Sequence, residues 1–183
     1  MSNLEEKIIK NCSSTLAGLK TATLFNMKIE NLDIFKEELK YVNSELNTKD
    51  IYADILRYDS KCSIIYVYRK SELLSKLKKQ KSQEILKVSG YPRESENYIK
   101  HLKRRLSLDS CPHEIGLFLG FPEEDVKAYI INNGCNFKYC GFWKVYYNIE
   151  SAIKTFEQFK ICSRIYHKAL KQGIGLENLA VAV

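Results

Sequence analysis

The sequence is poor in residues that interrupt regular structure, with three prolines and eight glycines among 183 residues. This scarcity excludes a collagen-like or low-complexity chain, because such chains are rich in glycine and proline. No internal repeat or linker-like segment divides the sequence. We therefore predict one domain over residues 1–183, long enough to bury a core without disulfides or a metal.

The sequence also lacks any apolar run long enough to span a membrane. Its first residues, MSNLEEKIIKNC, carry carboxylates where a signal peptide needs a basic start and an apolar run. Six cysteines without an export signal indicate reduced thiols rather than three disulfides. The resulting prediction is a cytoplasmic protein with no membrane contact.

The common catalytic signatures are missing too: a P-loop, a dinucleotide-binding glycine fingerprint, a nucleophile elbow and an HExxH motif. No flavin, haem or iron-sulfur motif is present. The sequence therefore specifies no cofactor, and it leaves enzymatic activity an open question.

What the sequence does have is an excess of positive charge, with 29 Lys and Arg against 22 Asp and Glu and a net charge of +7. Such a balance favours an anionic ligand, a nucleic acid or an acidic partner. The densest cluster, Lys100–Arg105 (KHLKRR), lies on a predicted helix over Arg93–Leu108. The apolar stripe of that helix, Tyr98, Leu102 and Leu106, is also what a solvated amphipathic helix would show.

Helical and strand periods alternate along the chain. Ser2 and Glu5 form a capping box before the first predicted helix. Further helices are predicted over 31–47 and 149–171, and strands over 16–27, 51–58, 62–69, 136–147 and the last residues from Leu176. This order predicts an α+β fold with a small antiparallel or mixed sheet of about four strands, covered by helices.

The segment near 112–133 has the spacing of a helix-turn-helix-like αα-hairpin. Pro112 suits the start of the first helix, Gly120 its end and Gly134 the end of the second. The carboxylates of Glu123 and its two acidic neighbours would repel DNA phosphates, which favours a packed hairpin over a DNA reader. A buried strand over 113–120 remains an alternative.

Charged and phenolic residues within predicted strands could converge on one basic and aromatic sheet face. Such a face would bind a carboxylate or phosphate, with His113 and Glu114 as candidate acid and base. An exposed sheet face whose charges discourage edge pairing would explain the same pattern. The candidate ligand-binding residues are Lys20, Tyr66, Arg69, Lys138, Lys144 and Tyr146.

Cys111, His113, Cys135 and Cys140 supply four soft ligands that could close a zinc site. The C-x2-C spacing typical of such sites is missing, and buried cysteines are common, so we predict no metal and keep these four residues as an alternative.

Four segments, CSSTLAGLKTATLF from Cys12, IIYVYR from Ile64, PHEIGLFLGFPEEDV from Pro112 and YCGFWKVY from Tyr139, occur in this order. In them the chain resembles an uncharacterised family of small bacterial proteins, found chiefly in anaerobic Gram-positive species and carrying a domain-of-unknown-function label. The resemblance runs from Cys12 into the last helix and supplies no catalytic residues.

The main functional prediction is a protein that binds a small anionic ligand or cofactor. The first alternative is nucleic-acid binding through the helix pair and the basic helix. The second is a protein-interaction adaptor without catalysis, which would show an exposed apolar patch.

Overall fold

The computed structural model describes residues 2–59, 61–92, 95–108 and 112–182. The chain forms two compact units, the first comprising Met1–Ser71 and Phe159–Val183 and the second Glu72–Gln158. Within the described residues, helices accompany one antiparallel sheet of three strands and another of two. The predicted α+β class and the small antiparallel sheet are confirmed, and the single domain stays a prediction.

The sheet of the first unit consists of β1 (Ala22–Met27), β2 (Ile51–Arg57) and β3 (Ser63–Arg69), in the order β1-β3-β2. Strands β2 and β3, which correspond to those predicted over 51–58 and 62–69, pair with each other in antiparallel orientation. Strand β3 is central and largely buried, and Val67 pairs with a residue of each neighbouring strand. Its β-branched residues suit such a position because they pack well on a pleated, buried surface.

Helices cover this sheet within the first unit. Helix α1 (Asn3–Leu16) begins with the predicted Ser2–Glu5 capping box, and α2 (Leu32–Leu46) begins at Asn31, whose side chain accepts bonds from two backbone N–H groups. The apolar faces of both helices join one buried cluster with sheet residues such as Ile65. Each fully buried Leu or Ile in that cluster contributes about 1.5–3 kcal/mol to folding.

The second unit is mainly helical. Most of α3 (Lys70–Leu77) belongs to it, followed by α4 (Gln80–Val88), α5 (Tyr98–Leu108), α6 (Ile115–Phe118), α7 (Glu123–Ile131), a hairpin of β4 (Tyr139–Cys140) and β5 (Lys144–Val145), and the first part of α8 (Ile149–Lys171). The stripe of Tyr98, Leu102 and Leu106 on α5 is buried as predicted. The predicted start of that helix at Arg93 lies outside the described residues.

The αα-hairpin is present as α6 and α7, and the alternative strand over 113–120 is wrong. Gly120 adopts a φ of +74°, which lets the chain leave α6 in the left-handed conformation expected of a helix end. Gly116 faces the side chain of Val126, and a Cβ there would come within 2.8 Å of a Val126 methyl carbon. The small residue therefore allows the two short helices to pack closely.

The predicted strand over 136–147 is wrong, because this segment folds into the β4–β5 hairpin. Lys138 precedes β4, Tyr146 follows β5, and Lys144 is the one ligand-binding candidate of this segment that lies in a strand. The turn includes Gly141, where any Cβ would overlap the ring of Phe156. Alternation with period two continues through both arms of a tight hairpin, which hid the turn.

Two further strand boundaries are corrected in the first unit. The predicted strand over 16–27 begins only at Ala22, because Leu16 continues the buried stripe of α1, and Lys20 therefore lies in a turn. The closing strand predicted from Leu176 is instead the short helix α9 (Leu176–Leu179). A helix of one turn is too short to show a helical period in the sequence. Leu176, its first residue, is fully buried.

Candidate functional site

The second unit contains a pocket of about 340 Å³ between the α6–α7 pair and the β4–β5 hairpin. Its wall is mainly apolar and aromatic, and it also carries a cation, an imidazole and a thiol. The side chains that give it this chemistry are those of His113, Phe121, Asp125, Tyr129, Cys140, Trp143 and Lys144.

Asp125, in the first turn of α7, anchors the hairpin to the helix pair. One carboxylate oxygen accepts a hydrogen bond from the Trp143 indole N–H at 2.8 Å. The other accepts from the backbone N–H groups of Tyr146 at 2.8 Å and Tyr147 at 3.3 Å. Asp125 is only 5% exposed. Its charge is therefore satisfied by the protein, and it holds one wall of the pocket against the other.

Trp143 forms a flat aromatic wall of the pocket. Its ring stacks on Phe121 with centroids 5.2 Å apart and meets the ring of Phe156 edge-on at 4.5 Å. The absence of a side chain at Gly141 lets the hairpin turn approach Phe156. Stacked and edge-on pairs are the favoured arrangements of aromatic rings, so this wall is held in a defined orientation.

Lys144 places an ammonium group in the pocket. Its Nζ donates to the carbonyl of Gly134 at 2.7 Å and lies 4.7 Å from the ring centre of Phe137 and 5.6 Å from that of Tyr129. In the described part of the chain, no carboxylate forms an ion pair with it. One of its three N–H donors meets the carbonyl, which leaves capacity for an anionic ligand.

His113 and Cys140 complete the polar part of the wall. The imidazole of His113 is exposed and meets the ring of Tyr129 edge-on, with centroids 5.2 Å apart. The Cys140 thiol is exposed on the opposite hairpin. Sequence reasoning placed His113 beside Lys144 at the anion-binding face and beside Cys140 in the zinc alternative, and all three residues line the same pocket.

Glu114 does not line the pocket; its buried carboxylate forms an ion pair with the half-buried Arg105. Its carboxylate lies 2.5 Å from Nε of Arg105 and accepts a bond from the Tyr91 hydroxyl at 3.2 Å. Burial, followed by the Glu114 charge, raises the pKa of Tyr91 well above its usual value. Glu114 therefore ties the start of α6 to α5, and the neighbouring His113 faces a different environment.

The remaining candidates of the second unit differ sharply in exposure. Lys138 is exposed beside the hairpin, whereas Tyr146 is buried. The Tyr146 hydroxyl has no hydrogen-bond partner among the described residues, and burial raises the pKa of this group. Neither residue lines the pocket.

Lys20, Tyr66 and Arg69 belong to the first unit, and their sheet is separate from that of Lys144. Arg69 is 3% exposed and donates to the carbonyls of Thr15, Leu16 and Val181, each at 2.8 Å. The guanidinium thus satisfies carbonyls at the end of α1, which has no basic residue in its last turn.

The other two candidates of this unit are also largely withdrawn from solvent. Tyr66 is fully buried and stacks on Tyr68 with centroids 4.7 Å apart. Burial lowers the pKa of Lys20 to about 8, partly offset by the nearby Cys12. The strands assumed to form one basic face therefore lie in two sheets, and of the six ligand-binding candidates only Lys144 lines the pocket.

Comparison with known proteins gives a family. Its model, described as a protein of unknown function (DUF3793), matches residues 8–180. The chain belongs to this family. No curated protein and no solved structure matches this DUF3793 chain. The predicted membership of an uncharacterised family is thus confirmed, and the functional argument rests on the chain's own geometry.

Among the described residues, His113, Cys135 and Cys140 do not form the three-ligand group that the alternative zinc site would need. His113 and Cys140 line the pocket of this DUF3793 chain, whereas Cys135 is exposed outside it and its thiol lies 3.9 Å from the Asn133 carbonyl oxygen. Among the described residues these three do not gather into a cluster with metal-ligand spacing. Cys111 lies outside the described residues, so the four-ligand site stays the alternative to a protein without a metal.

The acidic start of α7 is used within the second unit. Glu124 pairs with Lys81 at 2.7 Å, and Glu123 accepts a hydrogen bond from Ser82 at 3.1 Å. These contacts join α7 to α4, as a packed αα-hairpin requires.

On α5, Lys100 and Arg104 are exposed, whereas Arg105 is paired with Glu114. In the described residues, no helix is sufficiently long and apolar to cross a membrane.

Proposed function

We propose that the second unit binds a small, flat, anionic ligand in the pocket between the α6–α7 pair and the β4–β5 hairpin. The observation that carries this proposal is the Lys144 ammonium, which faces aromatic rings and a carbonyl and forms no ion pair within the described residues. Lys144 is half-buried. A cation without a carboxylate partner can bind an anionic ligand through a charge-assisted hydrogen bond, which is about twice as strong as a neutral one.

The walls support a flat ligand. Trp143 and Phe121 offer stacked aromatic surface, and the pocket volume of about 340 Å³ lies in the range of small-molecule sites. His113 adds an imidazole, whose ring nitrogens can form hydrogen bonds with a ligand. Asp125 is fully engaged with the hairpin, so its role is to position Trp143 rather than to contact the ligand.

The test compares anions with their neutral counterparts: adenosine monophosphate with adenosine, and benzoate with benzamide. Binding is measured by calorimetry and by fluorescence of Trp143, the single tryptophan. We expect at least one anion to bind and its neutral counterpart to bind more weakly. Lys144→Met should weaken binding of that anion about ten- to a hundredfold, the effect of losing a charged hydrogen bond.

Lys127→Met is the matched control, because Lys127 is an exposed lysine of α7 that does not line the pocket. Alkylation adds a second readout: a bound anion should protect the Cys140 thiol and leave the exposed Cys135 thiol reactive. Equal binding of anion and neutral counterpart, equal effects of both lysine variants, or no binding by either anion would contradict the proposal.

A second candidate, the protein-interaction adaptor, is favoured by aromatic side chains on the outside of the hairpin. Phe137, Tyr139, Phe142 and Tyr147 are 40%, 39%, 45% and 58% exposed. Exposed rings near one another are typical of interaction surfaces. Phe142→Ser should reduce partner capture and leave small-anion binding intact if the hairpin is an adaptor surface, because Phe142 does not line the pocket.

A further inference from the structure

The C-terminal half of α8, within the first unit, carries a row of cations that form no ion pair among the described residues. Residues 158–176 contain no Asp or Glu. The same stretch contains four exposed basic side chains, Lys160, Arg164, Lys168 and Lys171. We call these four residues the α8 basic row. They carry four positive charges in a chain whose net charge is +7.

The row is compact because of helical spacing. At 100° per residue its four members fall within an arc of about 80°, and they extend over about 16 Å of helix axis. The buried residues Cys162, Tyr166 and Ala169 occupy the opposite side of the helix. The four cations therefore form one stripe that faces away from the core.

Internal neutralisation does not explain the row. Elsewhere cations pair along a helix, as Lys76 does with Glu72 at 2.9 Å, but no ion pair in the described residues includes a member of the α8 basic row. The helix dipole favours cations only in the last turn, which holds Lys168 and Lys171. Lys160 and Arg164 lie too far from that end to benefit.

His167 adds an imidazole ring to the same surface. Its Nδ1 lies 2.7 Å from the carbonyl oxygen of Ser163, which fixes the ring and leaves Nε2 as the other nitrogen for an external partner. Ser163, Arg164, His167, Lys168 and Lys171 line a shallow groove of about 430 Å³. The surface thus offers a fork-shaped guanidinium, ammonium groups and an oriented imidazole side by side.

We propose that the α8 basic row binds the phosphate backbone of a nucleic-acid duplex. A row of cations along a straight helix complements a duplex, which carries one negative charge per about 1.7 Å of its axis. A membrane surface fits less well, because the exposed apolar residues bordering the row are Ile161 and Ile165, and an interfacial helix needs a broad apolar face. Single-stranded nucleic acids are bound largely by stacking of their bases on aromatic side chains, and the four residues of the α8 basic row include no Phe, Tyr or Trp.

The salt dependence gives the expected magnitude. If each of the four cations contacts one phosphate, log Kobs falls with log salt with a slope of about −3.6. Raising salt from about 50 to about 200 mM should therefore weaken binding roughly a hundredfold. The pocket proposed for a small anion lies in the other unit, so this inference does not depend on it.

The experiment measures fluorescence anisotropy of a labelled DNA duplex of about 24 base pairs, and of the RNA duplex of the same sequence, with the full chain. Arg164→Gln/Lys168→Gln should weaken binding at least about tenfold and reduce the salt slope by about 1.8. The matched control is Lys100→Gln/Arg104→Gln, which removes two exposed cations, also four residues apart, from α5. We expect the control to change the affinity less than about threefold.

All four substituted residues are exposed, so thermal unfolding should show that both double variants fold as the parent does. Three results would overturn the proposal: no binding of either duplex at low salt, equal losses in the two double variants, or a salt slope unaffected by Arg164→Gln/Lys168→Gln. Binding to phosphatidylserine vesicles without binding to either duplex would assign the row to a membrane surface instead.

Discussion

Replacing Asp125 by asparagine should destabilise the second unit, although the two side chains have nearly the same shape. The carboxylate accepts hydrogen bonds on both oxygens, from Trp143 on one and from the backbone of Tyr146 and Tyr147 on the other. An asparagine keeps one acceptor and turns an N–H donor towards another donor. One buried donor loses its partner in either orientation, which costs about 2 kcal/mol or more.

The assay is urea unfolding followed by the fluorescence of Trp143, which reports on the donor itself. A loss of about 2 kcal/mol corresponds to a shift of the midpoint by about 1 M urea for a typical slope. Glu124→Gln is the matched control, because it removes the same charge from the adjacent residue, whose partner Lys81 is exposed. We expect little change there, as is usual for surface pairs.

The reasoning about Asp125 is refuted if Asp125→Asn unfolds at the same urea concentration as the parent. It is also refuted if both variants shift equally, since the effect would then reflect net charge rather than hydrogen bonding. A large shift for Asp125→Asn alone would establish that α7 and the hairpin are joined through this carboxylate, and hence that the pocket has a fixed wall.

Three further changes test other parts of the structure. Arg105→Gln leaves Glu114 buried without its cation and should cost about 3 kcal/mol in urea unfolding, with Lys81→Gln as the exposed control. Burial lowers the pKa of Lys20 to about 8 from 10.5, so the folded state releases this proton before the unfolded chain does. The free energy of unfolding should therefore rise by about 2 kcal/mol from pH 7.5 to 9.5 relative to Lys20→Met. Gly141→Ala should displace the hairpin and shift the emission of Trp143, because the new methyl group overlaps an aromatic ring.

The sequence predicted those parts of the fold whose signals are local. The Ser2–Glu5 capping box, the buried stripe of α5 and the left-handed Gly120 each depend on residues within a few positions of one another. The strand predicted over 136–147 failed because its alternation is the same for one long strand and for two hairpin arms. The turn depends on Gly141 meeting Phe156, a contact that no local pattern shows.

The candidate site was harder to predict, because its members come from α6, α7 and the hairpin. Lys144 was predicted to bind an anion and Cys140 was kept as an alternative metal ligand, with His113 a candidate in both sites, and only the folded chain brings the three to one pocket. Asp125 was considered only as one of three successive carboxylates that would repel DNA phosphates, and nothing near it in the sequence indicates its hydrogen bond to Trp143. Arg69 was expected to hold a ligand, and it is instead used to satisfy the end of α1.

The positive charges of this protein differ in whether its own groups already bind them. The Arg69 guanidinium donates hydrogen bonds to carbonyls of its own unit, and Arg105 forms an ion pair with Glu114. Lys144 and the α8 basic row have no such carboxylate among the described residues, and they lie in different units. Their two proposed ligands, a small flat anion and a phosphate backbone, should therefore respond to different substitutions. Lys144→Met should leave duplex binding unchanged, and Arg164→Gln/Lys168→Gln should leave small-anion binding unchanged, because neither change removes a residue of the other proposed site.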